Sequence, residues 1–431
     1  MPTQRPNVVF LITDQQQGRT LDSNAPFETP NIDRIADDGT RFSNCQCVHP
    51  QCSPSRAALL TGQYPHQTGV LTLSGWGPYE LDPATPNVGR SFRDAGYETT
   101  WIGRWDLGAE NITDLGWEFT RNVDVTGSPG REGKNRDETT VTEAVQYIEN
   151  YDRDRPFFLT AGFNLPHPSF FEDDQFSDEN WPEKIDMPDN FDDDLEDKPQ
   201  FHRDRAEDTD MTPDEIREMR YQYQTMVSRI DSYVGRITDA LREAGHYDET
   251  ILVVTSDHGD MQGGHGLVKK GTFAYDEVLR VPLVVRIPGL ETNGSVVDSP
   301  VSGISVSTTL LDAAGLDVPE TFEGESLVPY ADSTVQEEDT PVFFEHKYAL
   351  HGEHPFRGVR TADWKYVEYV TDDSSELYDL RDDPGEMINL AAQPEHADTK
   401  QRLKGLIQDW WTETGGENVD WTEPVSLPGR P

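Results

Sequence analysis

The sequence predicts an α/β fold, in which a large, mostly parallel central sheet is flanked by helices and followed by a small C-terminal antiparallel sheet with one helix. Three observations lead to this fold class. Short apolar runs rich in Val, Ile and Phe alternate with helical patterns, as in parallel sheets buried on both faces. These runs end in polar residues. After about Pro341, short alternating runs precede an amphipathic stretch near the C-terminus.

Four apolar runs predict strands of the large sheet, at residues 8–12, 99–102, 157–163 and 251–255. Ligands of such sheets bind at the carboxyl ends of the strands, so the polar residues that follow the runs are candidates for one shared site. These residues are Asp14, Arg104, Asp106, Asn164, His167, Asp257 and His258.

The strongest helical pattern covers residues 213–244, where apolar residues recur at steps of three and four and Gly245 can end the helix. Residues 171–218 are dense in Asp, Glu and Pro, which favours a surface insertion or lid. We therefore expect a main α/β domain at 1–335 that carries this insertion. A small α+β subdomain should follow at 336–431, with a helix at about 399–411.

Charge is the unusual feature of the composition. The 431 residues include 80 acidic and 36 basic side chains, for a net charge of −44, and the acids are spread along the whole length. A nucleic-acid-binding protein would be basic, and an acidic tail would be localised. Dispersed acidity predicts a halophilic protein, because at about 1 M salt the Debye length is only about 3 Å and self-repulsion is screened. An acidic mesophilic surface is the alternative.

The N-terminal apolar run is too short for the core of a signal peptide, and no run approaches the roughly 20 apolar residues of a membrane helix. The sequence thus predicts a cytoplasmic protein without a membrane partner and leaves the oligomeric state open. The three cysteines are an odd number, which argues against a disulfide framework. Cys45 and Cys47 lack a second ligand pair, so we expect buried thiols rather than a zinc site.

The third cysteine, Cys52, stands where a short helix is expected to begin. Ser53 is a suitable N-cap, Pro54 suits the first helical position, and Gly62 can end the helix. The N-terminus of a helix offers partial positive charge and free N–H groups. The thiol is therefore predicted to face an anionic ligand.

The segment from Cys52 to Arg56, "CSPSR", with the following "LTG", resembles the signature of type I sulfatases, the formylglycine-dependent family of the alkaline phosphatase superfamily. Other blocks occur in the order typical of the family and extend the resemblance over nearly the whole chain. These blocks are "PNVVFLITDQQ", "TPNIDRIADDGTRFSNCQC", "FRDAGYETTWIGRW", "PFFLTAGFNLPHP", "TSDHGDMQGGHGLVKKGTFAYDEVLRVPLVVRIPG" and "ELYDLRDDPGEMINLA".

The resemblance implies a sulfatase that hydrolyses a sulfate monoester, carried by a small molecule or a saccharide, with residues 1–335 as the catalytic domain. It also implies that a maturation enzyme oxidises Cys52 to formylglycine. A thiol that has accepted the sulfuryl group has no easy route to release sulfate. In a hydrated aldehyde, one hydroxyl can attack sulfur and deprotonation of the other can then expel sulfate.

A metal site is implied at Asp14, Gln15, Asp257 and His258, together with the residue derived from Cys52. Oxygen-rich ligands suit a hard divalent cation, for which Ca²⁺ is the first expectation and Mg²⁺ or Mn²⁺ the alternatives. The family often has two adjacent acids after the first strand. Here Gln15 fills the second place, so its amide oxygen can coordinate while the site loses one negative charge.

Other residues follow from the same comparison. Arg56 lies one helical turn after Cys52 and can point back at the formylglycine oxygens. Lys270 is expected to contact the sulfate, whereas Lys269 is expected to be solvated. His167 could protonate the leaving alcohol. Weaker candidates are Asn111, His265, His346, His351 and His354.

One block departs from the family pattern. The family usually has Gly-Lys-Trp-His-Leu-Gly where this chain has "GRWDLG", so Arg104 replaces the lysine and Asp106 the histidine that assists sulfate release. The carboxylate of Asp106 can act as a base or can pair with Arg104. Two alternatives to a sulfatase stay open at this point. One is a phosphodiester or phosphonate monoester hydrolase of the same superfamily, and the other is a non-catalytic anion-binding protein.

Overall fold

The computed structural model describes residues 5–23, 25–75, 79–108, 112–124, 136–167, 185–209, 211–290, 292, 294–331, 339–348, 354–370 and 373–421. The described strands are β1 Asn7–Thr13, β2 Thr40–Phe42, β3 Cys45–Gln46, β4 Glu98–Arg104, β5 Phe119–Asp124, β6 Phe157–Gly162, β7 Thr250–Ser256, β8 Arg280–Val281, β9 Leu283–Arg286, β10 Ser295–Val297, β11 Val301–Ser302, β12 Val342–His346, β13 Phe356–Arg360, β14 Trp364–Tyr369 and β15 Ser375–Asp379.

The described α-helices are α1 Pro30–Asp37, α2 Cys52–Thr61, α3 Pro65–Thr68, α4 Val88–Asp94, α5 Arg136–Glu149, α6 Gln200–Glu207, α7 Pro213–Glu243, α8 Asp276–Leu279, α9 Ser305–Ala313, α10 Val328–Ala331 and α11 Ala397–Glu413. The long helix α7 begins where the sequence predicts it. Thr212 caps it, accepting a hydrogen bond from the N–H of Glu215, whose side chain in turn bonds the N–H of Thr212.

The large sheet has the order β10-β2-β9-β7-β1-β6-β4-β5. Its four central neighbours, β7, β1, β6 and β4, pair in parallel, while β9 is antiparallel to both β7 and β2. The predicted class, a mostly parallel sheet flanked by helices with a small antiparallel sheet, is confirmed. A separate three-stranded sheet, β11-β3-β8, was not predicted because its strands are only two residues long.

Both faces of the large sheet are buried. In β1, Val8 and Phe10 belong to one hydrophobic cluster, whereas Val9 and Leu11 belong to a second cluster that also contains Val227 of α7. Successive side chains of a strand point to opposite faces, so a strand covered on both sides must be apolar throughout. This is why the strands read as unbroken apolar runs.

The small antiparallel sheet, β12-β13-β14-β15, packs between the main body and α11. Phe344 and Val367 join the cluster that contains Phe10, whereas Tyr366 joins a third cluster with Leu403 of α11. The two predicted parts of the chain thus share a continuous core. The predicted boundary at 335/336 lies outside the described residues.

One expectation needs correction, and one stays a prediction. The predicted N-cap at Ser53 is wrong: α2 begins at Cys52 with Gln51 as its cap, because the hydroxyl of Ser53 accepts the N–H of Ser74 at 2.9 Å. The segment 171–218 was predicted as a surface insertion. Residues 171–184 lie outside the described residues, but α6 follows, and its Phe201 packs on Tyr369 of the small sheet, 5.2 Å between ring centroids.

Among the described helices, none is long and apolar enough to cross a lipid bilayer.

Candidate active site

The carboxyl ends of the four central strands meet at one edge of the sheet, and polar side chains follow each of them. Asp14 follows β1, Asp257 follows β7, and Arg104 ends β4. Parallel pairing aligns these ends directly, with Thr13 opposite Ser256 and Gly103 opposite Gly162. The topology therefore collects residues from distant parts of the chain, as the sequence predicts.

Cys52 is the first residue of α2 and is 3% exposed. Its Sγ accepts a hydrogen bond from Lys270 Nζ at 2.8 Å and lies 3.3 Å from His258 Nε2. A terminal guanidinium nitrogen of Arg104 lies 3.7 Å from the same Sγ, and Asp14 Oδ1 lies 3.8 Å from it. Burial raises the pKa of the Cys52 thiol well above its usual value. An unmodified Cys52 is thus a poor thiolate nucleophile.

Helix α2 is fixed at its far end by Gly62. This glycine has φ 63°, and its N–H bonds the carbonyl of Ala58. A Cβ at this position would lie 2.7 Å from the ring of Phe322. Gly62 therefore ends the helix as predicted, and the helix points its N-terminus at the site.

Four side chains form a cluster that can hold a cation. The ligand atoms of Asp14, Cys52, Asp257 and His258 all lie within 4.8 Å of one another and are buried. Asp257 Oδ1 accepts the N–H groups of Gln15 and His258, which fixes the carboxylate. His258 Nδ1 lies 2.8 Å from the carbonyl of Gly259, so this nitrogen carries the proton and Nε2 keeps its lone pair towards the cluster.

The residues fit a hard divalent cation. Besides the two carboxylates and one imidazole, the cluster adjoins Gln15, which is 2% exposed. Gln15 Oε1 is buried without a hydrogen-bond partner. An unpartnered buried carbonyl oxygen is costly unless it coordinates a cation or a water. Carboxylate and amide oxygens are the ligands that Ca²⁺ and Mg²⁺ prefer.

Three cationic side chains surround the same point. Arg104 Nε lies 2.6 Å from Asp14 Oδ2, and Lys270 Nζ lies 3.8 Å from Asp14 Oδ1. The sequence directs Arg56 at the nucleophile, but its Nε lies 2.8 Å from Asp257 Oδ2. Because its guanidinium also reaches the carbonyls of Thr13 and Arg104, Arg56 braces the strand ends.

Burial and charge set the protonation of the cluster. Burial alone would raise the pKa of Asp14, but Arg104 and Lys270 outweigh it and hold that pKa below its usual range. Burial, reinforced by Lys270, lowers the pKa of His258 to about 4. At neutral pH this imidazole is therefore neutral, as a metal ligand must be.

The site is balanced in formal charge. Its carboxylates are Asp14, Asp106 and Asp257, and its cations are Arg56, Arg104 and Lys270. Among these six side chains, which leave out Asp260 behind Gln15, three negative and three positive charges sum to zero. A bound divalent cation would make the site positive, which suits an anionic substrate.

Asp106 is paired with Arg104. Its Oδ2 lies 3.1 Å from a guanidinium nitrogen of Arg104, and its backbone has φ 60°. Burial raises the pKa of Asp106 against the opposing effect of Arg104. Of the two roles that the sequence leaves open, the geometry matches the ion pair.

His167 lies at the end of the loop after β6 and is half-buried. Burial, reinforced by Lys270, holds its pKa well below the usual range. At neutral pH the imidazole is therefore neutral and can donate an N–H but holds no excess proton. This weakens the expectation that His167 protonates the leaving alcohol.

Sequence reasoning missed several residues that support the site. Asn164 Oδ1 accepts a hydrogen bond from Arg104 at 3.3 Å, and buried Asp137 binds the N–H of Asn164. Asp260 accepts a hydrogen bond from Gln15. The sequence places Asn164 after β6 but assigns it no role. Asp260 follows His258, so position after a strand could have pointed to it as well. Asp137 lies within a helix and gives no such signal.

Other candidates lie away from Cys52. His265 Nδ1 bonds Asp193 at 2.7 Å and its ring stacks on Tyr275, which indicates a structural role. His346 is buried 5.0 Å from the ring of His49, and His354 stacks on Phe201. Lys269 is exposed. Asn111 and His351 lie outside the described residues.

A polar cavity of about 260 Å³ lies nearby but does not contain Cys52. Arg19, Arg280 and Arg360 line it, and these pair with Glu277, Asp22 and Asp276. Since its charges are satisfied internally, we place the chemistry at Cys52 rather than in this cavity.

Comparison with known proteins agrees with this geometry. The family model described as sulfatase matches residues 6–316, which is more than half of the chain. The chain belongs to the sulfatase family. A second model, described as the C-terminal part of N-sulphoglucosamine sulphohydrolase, matches residues 263–412. The protein is thus a sulfuric ester hydrolase of the alkaline phosphatase superfamily.

Two curated relatives span nearly the whole of this sulfatase. The uncharacterized sulfatase YidJ of Escherichia coli is 30% identical, over 94% of this chain and 87% of its own. The N-acetylglucosamine-6-O-sulfatase of Bacteroides thetaiotaomicron is 27% identical, over 99% of this chain and 90% of its own.

Solved structures share the fold. That of a 2-O GAG sulfatase has a TM-score of 0.83 and 27% identity, and the match covers 98% of this chain and 95% of that one. The phosphonate monoester hydrolase of Agrobacterium radiobacter has a TM-score of 0.81 at 24% identity. The match covers 95% of this chain and 96% of the hydrolase. The second likeness shows the fold alone, so sulfate ester hydrolysis is the better assignment.

Proposed function

We propose that this sulfatase hydrolyses a sulfate monoester of a saccharide through a formylglycine formed from Cys52, with a divalent cation held by Asp14, Gln15, Asp257 and His258. The observation that carries the proposal is the position of Cys52 Sγ. It lies at the N-terminus of α2, 2.8 Å from Lys270 Nζ and within the ligand cluster. Sγ stands in for the hydroxyl oxygens that the hydrated aldehyde would place there.

Formylglycine supplies, once hydrated, one hydroxyl that attacks sulfur and a second whose deprotonation expels sulfate. The protein's own groups prepare that position. The ammonium of Lys270 lies on one side of Sγ and the guanidinium of Arg104 on the other. Both cations, with the free N–H groups of α2, can hold sulfuryl oxygens as negative charge develops.

The proposed cation is Ca²⁺, with Mg²⁺ and Mn²⁺ as alternatives. Bound here, it would lower the pKa of the nucleophilic hydroxyl and offset the charge of the sulfuryl group. Arg56 and the N–H groups of Gln15 and His258 hold the carboxylate of Asp257 in place for it. The oxygen-rich donor set supports this choice of metal.

Proton transfer to the leaving alcohol needs a group near the site that holds a transferable proton. Burial would lower the pKa of Lys270, but contact with Cys52 and Asp14 raises it above its usual value, so its ammonium carries a proton at neutral pH. His167, which is neutral, is better suited to orient the leaving oxygen by an N–H hydrogen bond.

A saccharide substrate is supported by the relatives. One relative is named as an N-acetylglucosamine-6-O-sulfatase, and the solved structure at 27% identity is that of a 2-O GAG sulfatase. A phosphonate monoester is the second candidate because the fold is shared with such a hydrolase. The ratio of kcat/KM for an aryl sulfate and an aryl phosphonate separates the two.

The tryptic peptide of residues 42–56 contains all three cysteines. In protein from its own host, alkylation should label Cys45 and Cys47 while Cys52 appears as aldehyde or hydrate. Cys52→Ala should abolish turnover of an aryl sulfate, whereas Cys45→Ala, the same change at another buried thiol, should retain it. A peptide alkylated at all three cysteines, from protein that still turns over, would contradict the formylglycine mechanism.

A further inference from the structure

Gln15 is held by its backbone at both ends. Its N–H donates to Asp257 Oδ1 at 3.0 Å, and its carbonyl accepts the hydroxyl of Tyr223 at 2.8 Å. Its φ of 72° lies in the left-handed region, which a residue with a side chain seldom adopts. The main chain of Gln15 is thus fixed beside the cluster, and only the side-chain amide is left to be oriented.

The amide of Gln15 is oriented by a buried carboxylate that the mechanism does not use. Gln15 Nε2 donates to Asp260 Oδ2, and Asp260 is fully buried. A carboxylate can only accept hydrogen bonds, so the NH₂ end of the amide must face it. Oε1 then points away from Asp260 and has no hydrogen-bond partner.

Asp260 is itself fixed. Its Oδ1 accepts the backbone N–H and the side-chain Nε2 of Gln262, at 2.9 and 2.8 Å. Its own N–H bonds the carbonyl of Glu277, and its carbonyl accepts Gln17 Nε2. With both carboxylate oxygens and both backbone groups bonded, Asp260 cannot turn away from Gln15.

We propose that Asp260 is a positioning residue that holds the amide of Gln15 so that Oε1 faces the cation bound by Asp14, Asp257 and His258. The inference rests on the proposed function, since it needs a cation at that cluster. The site then keeps a carboxylate near the cation. This carboxylate, Asp260, bonds the proposed ligand Gln15 and does not itself coordinate the cation.

The first test is Asp260→Asn. The backbone N–H of Gln262 needs an acceptor, so the oxygen of the new side-chain amide stays on that side and its NH₂ faces Gln15. Gln15 must then turn its oxygen towards residue 260 and its NH₂ towards the cation. Removing such supporting partners costs about 10–100-fold in metal affinity, and we expect Kd for Ca²⁺ to rise by that factor. Isothermal calorimetry on chelator-stripped protein measures it.

Asp231→Asn is the matched control. Asp231 is also a buried carboxylate, and it accepts the N–H groups of Asn31 and Ile32 and the amide Nδ2 of Asn31. This variant should lose stability but keep the Kd for Ca²⁺. A similar rise of Kd in both variants would mean that loosened packing is the cause and would overturn the inference.

The second test removes the hydrogen-bond donor on residue 15. Its single variant, Gln15→Glu, keeps Asp260 and so does not depend on the folding of Asp260→Asn. Gln15→Glu puts two carboxylates face to face, so Ca²⁺ should bind about 10-fold more weakly despite the added charge, within the range for altered metal surroundings. The double variant Gln15→Glu/Asp260→Asn gives residue 260 an NH₂ to donate, and its Kd should return to the wild-type value or below it.

The outcomes separate the inference from the proposed function. Tighter Ca²⁺ binding by Gln15→Glu alone, or no recovery in the double variant, overturns the role of Asp260 while leaving the metal site intact. A wild type that binds none of Ca²⁺, Mg²⁺ and Mn²⁺ contradicts the proposed function and the inference with it.

Discussion

At the scale of residues, Arg104 lies between two carboxylates and Cys52, the proposed nucleophile. Its guanidinium is 2.6 Å from Asp14, 3.1 Å from Asp106 and 3.7 Å from Cys52 Sγ. A guanidinium is planar and can satisfy several acceptors at once, whereas an ammonium is a single point charge. Where the resemblance leads us to expect a lysine and a histidine, this chain thus has an ion pair whose two members hold each other in place.

We predict that Asp106→Asn changes kcat for an aryl sulfate by no more than about threefold, because the isosteric amide still accepts a hydrogen bond from Arg104. A general base at this position would contribute about 10²–10⁴-fold. Steady-state kinetics of wild type and variant measures the difference. A loss of two orders of magnitude or more in kcat, at unchanged stability, would assign Asp106 as a base.

At the scale of elements, a bulge at the end of β4 directs Arg104 into the site. The pairing of β4 with β5 shifts register between Ile102 and Arg104, and Gly103 has φ 87°. A Cβ on Gly103 would lie 2.2 Å from the carbonyl oxygen of Gly162 on β6. Only glycine fits where the two backbones approach this closely, and the bulge turns the next side chain.

We predict that Gly103→Ala lowers the free energy of unfolding by about 3–5 kcal/mol, as backbone strain and overpacking add. Gly96→Ala is the control: its φ is 90°, but no heavy atom lies within 4 Å of the added Cβ. It should lose only the about 1–2 kcal/mol of the left-handed backbone. Urea unfolding measures the free energy of unfolding of both variants. Equal losses would mean that the close contact with Gly162 adds no cost and would contradict the prediction.

A second element-scale contact joins α3 to the small sheet. His66 Nδ1 lies 2.7 Å from Glu345 on β12, and Nε2 lies 3.1 Å from Thr414 after α11. Burial would lower the pKa of His66, but Glu345 outweighs it and raises the pKa above its usual value. At pH values below this raised pKa, the imidazolium pairs with Glu345 and links the main body to the C-terminal part.

The sign of the pH effect follows from the raised pKa. The contribution of His66 to stability is full below the unfolded pKa of about 6.5 and is lost as pH rises through the folded value. The difference in melting temperature between wild type and His66→Gln should therefore be largest near pH 6 and shrink towards pH 9. Glu345→Gln should remove this pH dependence, and a difference independent of pH would contradict the ion pair.

At the scale of the whole molecule, the net charge of −44 opposes folding and the approach of an anionic substrate alike. The balanced cluster around Cys52 is shielded by burial, so the excess acidity lies on the surface, as at Asp214 and Asp248, which are 80% and 100% exposed. Salt screens exposed charges more than buried ones. We propose that the protein is adapted to concentrated salt.

We predict that melting temperature and kcat/KM both rise as KCl increases from about 0.1 M to molar concentration, where the Debye length falls from about 10 to about 3 Å. Thermal unfolding and turnover of an aryl sulfate across a KCl series measure the effect. A flat response of both quantities would remove the argument for a halophilic protein.

The sequence by itself determined the fold class, the family and the set of strand ends that meet. Short apolar runs such as residues 8–12, rich in Val, Ile and Phe, favour strands buried on both faces, and parallel topology then places Asp14 beside Asp257 at one sheet edge. The start of a helix near Cys52 followed from the helix signals around it, to within two residues. The family followed from the resemblance of its motifs, whereas the fold class and the meeting of the strand ends rest on local patterns and on general rules of chain connection.

Only the tertiary structure decided which partner each polar side chain takes. Arg56 binds Asp257, 201 residues away, rather than the nucleophile, and Gln15 bonds Asp260, 245 residues away. A buried charge or amide bonds whichever donor or acceptor the packed backbone brings within about 3 Å, and the loss of water makes that choice costly to change. No local pattern encodes such a distance, so the roles of Arg56, Asp106 and Asp260 depend on the folded chain.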